Sequence, residues 1–210
     1  MLKNLFMVYI CPEIMGHMVL FSPVLSPALY AYVLMYSLHA FYHLFYQTNV
    51  NHTKSPEDFT KIKMPVYFIS HGGGPWPWLQ GPYREAYQQL ESSLKKLPYE
   101  LPEKPKAILM ISGHWEENNF SIMTHPKPPM LYDYGGFPQH TYHIKYPAVN
   151  SAELISRVQT LLNAMGIYPD LDPNRGFDHG TFTPLAVSYP DADIPVVQLS
   201  LRADYDPETH

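Results

Sequence analysis

The rhythm of apolar and polar positions changes at residue 64. From there, short apolar runs alternate with stretches of helical period. Residues 66–70 (VYFIS) form a compact apolar run between Pro65 and three glycines, which predicts a strand. Residues 82–97 (PYREAYQQLESSLKKL) place Tyr83, Ala86, Tyr87, Leu90, Leu94 and Leu97 on one stripe, with a proline suited to a first turn. Residues 106–112 (KAILMIS) are nearly all apolar, as expected of a strand covered on both faces. Residues 150–166 read as a helix with Asn150 and Glu153 as a capping box, Leu154, Val158, Leu161 and Met165 on one face, and Gly166 as the stop. Residues 194–201 (IPVVQLSL) predict a last buried strand. Strand, helix, strand, helix, strand implies an α/β fold with a mainly parallel central sheet flanked by helices.

Ahead of residue 64 the pattern is different. Residues 14–53 carry no Asp, Glu, Lys or Arg, and 18–46 are long enough to cross a bilayer. Pro23 and Pro27 interrupt that stretch, and its tyrosines suit an interface better than a hydrocarbon centre. The expected organisation is an apolar aromatic extension over 1–50, with 18–46 as a candidate membrane segment, a polar linker over 51–63, and one domain over 64–210. If 18–46 spans, Lys54, Lys61 and Lys63 outweigh Lys3 and place the domain in the cytoplasm. The alternative is an extension lying on the domain.

Composition narrows the function. The net charge is −5 with only 14 Lys and Arg, and no basic block interleaves with aromatics, so no nucleic-acid partner is expected. Cys11 is the single cysteine, which rules out an internal disulfide framework or a thiolate metal cluster and suits a reducing compartment. The 22 prolines imply many turns, and the 11 histidines supply the candidate chemistry.

In open α/β sheets, ligands bind beyond the carboxyl ends of the strands. His71 directly follows the strand 66–70, and His114 follows the strand 108–112 by two residues in ISGHWE. His179, in GFDHGTFTPL, is expected in a loop beside Gly180. Three loop histidines beside glycines fit a metal or proton-transfer site, since neutral imidazole is a common metal ligand. A lone histidine at a strand end is more often a hydrogen-bonded turn residue, but the repeated strand–small residue–His arrangement favours a site. His125, His140 and His143 have weaker contexts, and His17, His39 and His43 belong to the extension. The HGGG segment also resembles the oxyanion loop of α/β-hydrolase esterases, but no G-x-S-x-G elbow accompanies it. P-loop and dinucleotide fingerprints are absent as well.

The blocks FISHGGGP, AILMISGHWE, LYDYGGFP, YPAVNS, RGFDHGTFTPL and YPDADIPVVQLSL occur in an order and spacing that resemble the class III extradiol ring-cleavage dioxygenases, in the 4,5-DOPA extradiol dioxygenase-like branch. The resemblance covers residues 64–210. It implies a non-haem Fe(2+) or Zn(2+) site with His71 and His114 as ligands and His179 near the substrate as a catalytic hydrogen-bonding or proton-shuttling residue. Asp178, Tyr134 and Phe137 would line the substrate position. The partners implied are a small catecholic, DOPA-like aromatic and O2, which would take the open positions of the metal.

Two departures accompany it. Relatives often carry a shorter His-Gly-Ser-Pro version of the first block. Members of the family also continue for several tens of residues past the equivalent of RADYDPETH, and the resemblance implies that the acid/base histidine and the third metal ligand lie there. On that reading the domain lacks its C-terminal elements. Glu116, Asp133 and His125 are of the right type to substitute as a ligand, but no motif selects them. The rival function is therefore a catalytically inactive family member that acts as a binding or interaction protein.

Overall fold

The computed structural model describes residues 5–10, 64–206 and 210. Six strands form one sheet: β1 (Leu5–Ile10), β2 (Val66–Ile69), β3 (Ala107–Glu117), β4 (Ser121–Met123), β5 (Asp170–Asp172) and β6 (Val196–Arg202). Their spatial order is β2-β1-β3-β6-β4-β5. The first four positions in that order are joined by parallel pairings, and β4 runs antiparallel to β6 with β5 parallel beside it. The expected α/β architecture with a mainly parallel sheet is what the chain adopts.

Helices cover both faces. They are α1 (Pro82–Glu85), α2 (Gln88–Glu100), α3 (Ala152–Ala164) and α4 (His179–Ser188). Alternate residues of β3 point to opposite sides, and both sides are dry. Ile108 and Met110 join Trp76, Leu94, Leu97, Phe182, Leu185 and Val196 in one core. Ala107, Leu109 and Ile111 join Leu154, Val158, Leu162, Val197 and Leu199 in the other. Burial on both faces is why β3 and β6 read as nearly unbroken apolar runs rather than alternating ones.

Four expectations need correction. The stripe at 82–97 is not one helix: α1 ends at Glu85 and α2 starts at Gln88. Tyr83 Oη donates to the Gly73 carbonyl (3.2 Å) and Arg84 Nη1 donates to the Pro77 carbonyl, so the first turn is tethered to the glycine loop and leaves the axis of α2. The strand predicted to end at Ser112 runs on to Glu117 with a register shift between Ile111 and Glu116. The cap of α3 is Ser151, whose hydroxyl accepts from Leu154 N–H at 3.1 Å. Asn150 instead donates to the carbonyls of Met123 (2.8 Å) and His125 (3.2 Å), joining the helix start to the end of β4. Finally, His179 is not in a loop, because it opens α4.

The N-terminal stretch also departs in part from its reading as an extension. Leu5–Ile10 pairs with β2 on one side (Met7 with Val66) and β3 on the other (Leu5 with Ala107). Six residues read as extension are thus an inner strand of the sheet. The candidate membrane segment 18–46 and the linker 51–63 lie outside the described residues. Among the described residues no helix is long and apolar enough to cross a membrane.

Candidate metal centre

Three different pieces of backbone bring the histidines together. His71 lies two residues past β2, at the head of the glycine loop. Its carbonyl accepts a 2.8 Å hydrogen bond from Trp76 Nε1, which folds the loop back on itself. Gly72 takes φ +76°, and a Cβ there would sit 2.2 Å from that indole nitrogen. Gly74 (φ +54°) leaves room for Phe137, whose ring a Cβ would meet at 2.8 Å. The glycines are therefore demanded by the walls of the loop as well as by its dihedrals.

His114 is presented by the irregular stretch of β3. Ser112 Oγ donates to Asp178 Oδ1 (2.7 Å) and accepts from His114 N–H (3.2 Å), so a side chain replaces the ladder partner that the strand gives up there. An inserted irregularity of this kind re-aims a side chain. His179 is the first residue of α4, capped by Asp178, whose Oδ1 accepts from Thr181 N–H at 3.1 Å. Gly180 permits the close approach of this helix to β3, since a Cβ would come within 2.8 Å of both His114 Cδ2 and Ser112 Oγ.

The result is a cluster in which His71, His114 and His179 each offer a nitrogen within 4.8 Å of the others. His71 Nε2 and His114 Nε2 are 3.0 Å apart. The ring centroids of His114 and His179 are 4.2 Å apart, and those of His71 and His179 5.0 Å. His71 is 2 % exposed and His179 6 %. Burial, reinforced by the neighbouring His179 and His114 rings, pushes His71 down to about 3, and burial with His179 also lowers His114. Both rings are thus neutral near neutrality, which is the form that binds a metal.

Asp133 stands beside the cluster. Burial alone would raise its carboxyl, but hydrogen bonds and charge from His179, with His114 behind them, outweigh it and hold Asp133 below the usual range. Its Oδ1 accepts from His179 Nδ1 (2.8 Å) and from His179 backbone N–H (2.9 Å). Its Oδ2 lies 3.4 Å from His114 Nδ1.

The other expected site residues divide. Tyr134 and Phe137 do approach the cluster: the Tyr134 ring is 5.7 Å from His179 and 5.5 Å from Phe137, edge to face in both cases. Asp178 does not line an open site. It is fully buried and accepts from Ser112, Thr181, Arg175 Nη2 (2.7 Å) and Gln198 Nε2, so it ties β3, β6 and α4 together under the histidines. The sequence placed it next to His179 without showing that a helix cap turns it inward. Of the groups of ligand type, Glu116 is exposed near the end of β3 and His125 Nδ1 accepts from Lys127 N–H, so only Asp133 stands near the cluster.

The three imidazoles fit a divalent transition metal. Metal–nitrogen bonds of about 2.1 Å would put two ligating nitrogens of one ion roughly 3–3.5 Å apart, close to the 3.0 Å between His71 and His114 Nε2. His71 Nδ1 is buried without a hydrogen-bond partner, which shows that polar capacity here is not spent on the fold.

A parallel-centred α/β sheet carrying three convergent histidines is the architecture of a candidate mononuclear metalloprotein. Residues 65–208 match the family described as the catalytic LigB subunit of aromatic ring-opening dioxygenase, and the chain belongs to that family. Three curated relatives are similar over the same region. A protein of Hapsidospora irregularis named dioxygenase tasH is 39 % identical over 150 residues, covering 70 % of this chain and 46 % of its own. The 4,5-DOPA dioxygenase extradiol of Beta vulgaris is 41 % identical over 147 residues, covering 69 % and 53 %. The protein of the same name from Escherichia coli K12 is 36 % identical over 142 residues, covering 68 % and 49 %. The chain spans about half the length of these curated relatives.

Proposed function

We propose that this protein is a metal-dependent extradiol ring-cleavage dioxygenase acting on a catechol-type, DOPA-like substrate with O2. The observation that carries the reading is the convergence of His71, His114 and His179 from a loop, a strand and a helix. His71 and His114 would hold Fe(2+) or Zn(2+), and His179 would act as acid/base. A bound ion of this type supplies Lewis acidity and, as Fe(2+), dioxygen chemistry to a chelating catechol. The roles left to the protein follow from its own groups. Asp133 Oδ1 accepts a hydrogen bond from His179 Nδ1–H, so the Nε2 of that ring is free to accept a proton from a substrate hydroxyl. Tyr134 and Phe137 present ring edges to the same space, which favours a flat aromatic substrate. The names of the relatives from Beta vulgaris and Escherichia coli K12 support the catechol class.

The spacing of the cluster also supports a second reading, in which His179 is a third ligand rather than an acid/base. Metal content separates the two. The full chain, reconstituted anaerobically with Fe(2+), should retain about one equivalent, consume O2 with DOPA and form a coloured semialdehyde. His71→Ala and His114→Ala should lose the metal. His179→Ala should keep the metal and lose turnover if the ring is the acid/base, and lose both if it is a ligand. Retention of metal by both His71→Ala and His114→Ala would overturn the assignment. Metal bound stoichiometrically without O2 uptake on any catechol would leave a binding protein of the same family.

A further inference from the structure

Asp133 is held in place from both sides of its own segment. On one side, residues 129–131 run along 176–178: Met130 and Phe177 form a parallel bridge, Leu131 N–H donates to the Phe177 carbonyl (2.8 Å), and Phe177 N–H donates to the Pro129 carbonyl (2.9 Å). The approach is so close that a Cβ on Gly176 would lie 2.3 Å from the Pro129 oxygen. On the other side, the flanking tyrosines anchor the strand-like segment to the next turn. Tyr132 Oη donates to the Ile144 carbonyl and Tyr134 Oη to the Thr141 carbonyl, both at 2.6 Å. Tyr132 and Tyr134 are thus fixed, and Asp133 between them is turned to His179. Backbone and side chain of His179 converge on one carboxylate oxygen, Oδ1, while Oδ2 faces His114.

A neutral imidazole carries one N–H, and the bond made by one nitrogen decides which nitrogen keeps a lone pair. A carboxylate can only accept. We propose that Asp133 is the positioning residue of the cluster, holding His179 as its Nδ1–H tautomer through Oδ1, so that the Nε2 nitrogen of that ring is bare, while Oδ2 faces His114 at 3.4 Å. This rests on the metal-centre reading only for what the bare nitrogen is for; the tautomer of His179 follows from its hydrogen bond alone.

The test is a long-range proton–nitrogen NMR correlation of the imidazoles in the 15N-labelled, chelator-treated full chain. Each ring is assigned by its own histidine-to-glutamine variant. An Nδ1–H tautomer is expected for His179. In Asp133→Asn, an isosteric change that replaces one acceptor oxygen by a donor NH2, His179 should leave the Nδ1–H form. Zn(2+) affinity, read by chelator competition, should fall by about 10–100-fold. Asp133→Glu should restore the His179 tautomer more than Asp133→Asn does. A residue that only stabilised the fold would lower the melting temperature and leave the tautomer unmoved. His179 found as Nε2–H in the unmodified chain, or its tautomer unchanged in Asp133→Asn, would overturn the proposal. Should the unmodified chain bind no Zn(2+) while the tautomer follows Asp133, the positioning role stands and the metal reading falls. If Asp133→Asn fails to fold, the His179 tautomers of the unmodified chain and of Asp133→Glu still decide.

Discussion

Single residues set the cluster's geometry, and glycine 180 does so by having no side chain. Gly180→Ala should push His114 or Ser112 aside, because the new Cβ would lie 2.8 Å from each and Ser112 is fully buried. The fold should survive, since α4 tolerates alanine, while Zn(2+) affinity should drop at least tenfold on chelator competition; unchanged affinity would mean that His114 needs no such clearance. Protonation gives a second prediction at this scale. His71 titrates at about 3 in the folded protein against 6.5 in a free chain. Between those values the unfolded state binds a proton that the folded state refuses, so stability falls as pH drops below about 6.5 and is unaffected above it. The urea midpoint of the metal-free protein should therefore decrease from pH 7 to pH 5, by an amount equivalent to roughly 2 kcal/mol from this group. The decrease should be smaller in His71→Gln. The histidines themselves were legible because each stands beside a glycine. Asp133 was visible only as a carboxylate of suitable type. Its hydrogen-bond partner His179 lies 46 positions away, a separation no local motif encodes.

Whole elements were legible where burial is one-sided. Helix α3 buries Leu154, Val158, Leu161 and Leu162 on one face, with Ile155 half-buried beside them, so its period and its stop at Gly166 (φ +78°) can be read directly. Leu154→Ala should cost about 2–5 kcal/mol, measured by urea unfolding, because the side chain is wholly enclosed between α3 and the sheet. Helix α4 gave no such signal. Nearly all of it is buried, including His179, Thr181, Thr183 and Ser188, and Pro184 lies inside it. Its polar side chains are satisfied locally rather than by water: Thr181 Oγ1 donates to Gln198 Oε1 (2.8 Å), and Ser188 Oγ to the Pro184 carbonyl (2.9 Å). A helix without a polar face has no amphipathic period, and a mid-helix proline reads as a break. That is why His179 was expected in a loop. The extended β3 was missed for a related reason. The register shift that presents His114 depends on Ser112 bonding to Asp178, 66 positions away, so SGHW looks like a turn when read alone.

At the scale of the molecule, the sheet determines whether the histidines can meet at all. His71 follows β2 and His114 belongs to β3, yet these strands do not pair with each other; β1 lies between them in parallel register with both. The relative placement of two of the three imidazoles is therefore transmitted through the backbone of residues 5–10. The sequence could not show this, because LFMVYI precedes a long charge-free stretch and is more than fifty positions from its partners, so it reads as the start of an apolar extension. Proline tests the connection through the backbone. Within an inner strand, proline removes one N–H from the ladder and is rarely accommodated. Val8→Pro should lower the melting temperature and weaken Zn(2+) binding together, and hydrogen exchange should quicken first in β2, whose ladder runs only along β1. Val8→Ile, which keeps the N–H and the strand propensity, should change neither. If Val8→Pro retained full metal affinity with β2 still protected, the placement of β1 between the two histidine-bearing strands would be refuted. The metal centre would then depend only on the contacts among the glycine loop, Asp133 and the start of α4.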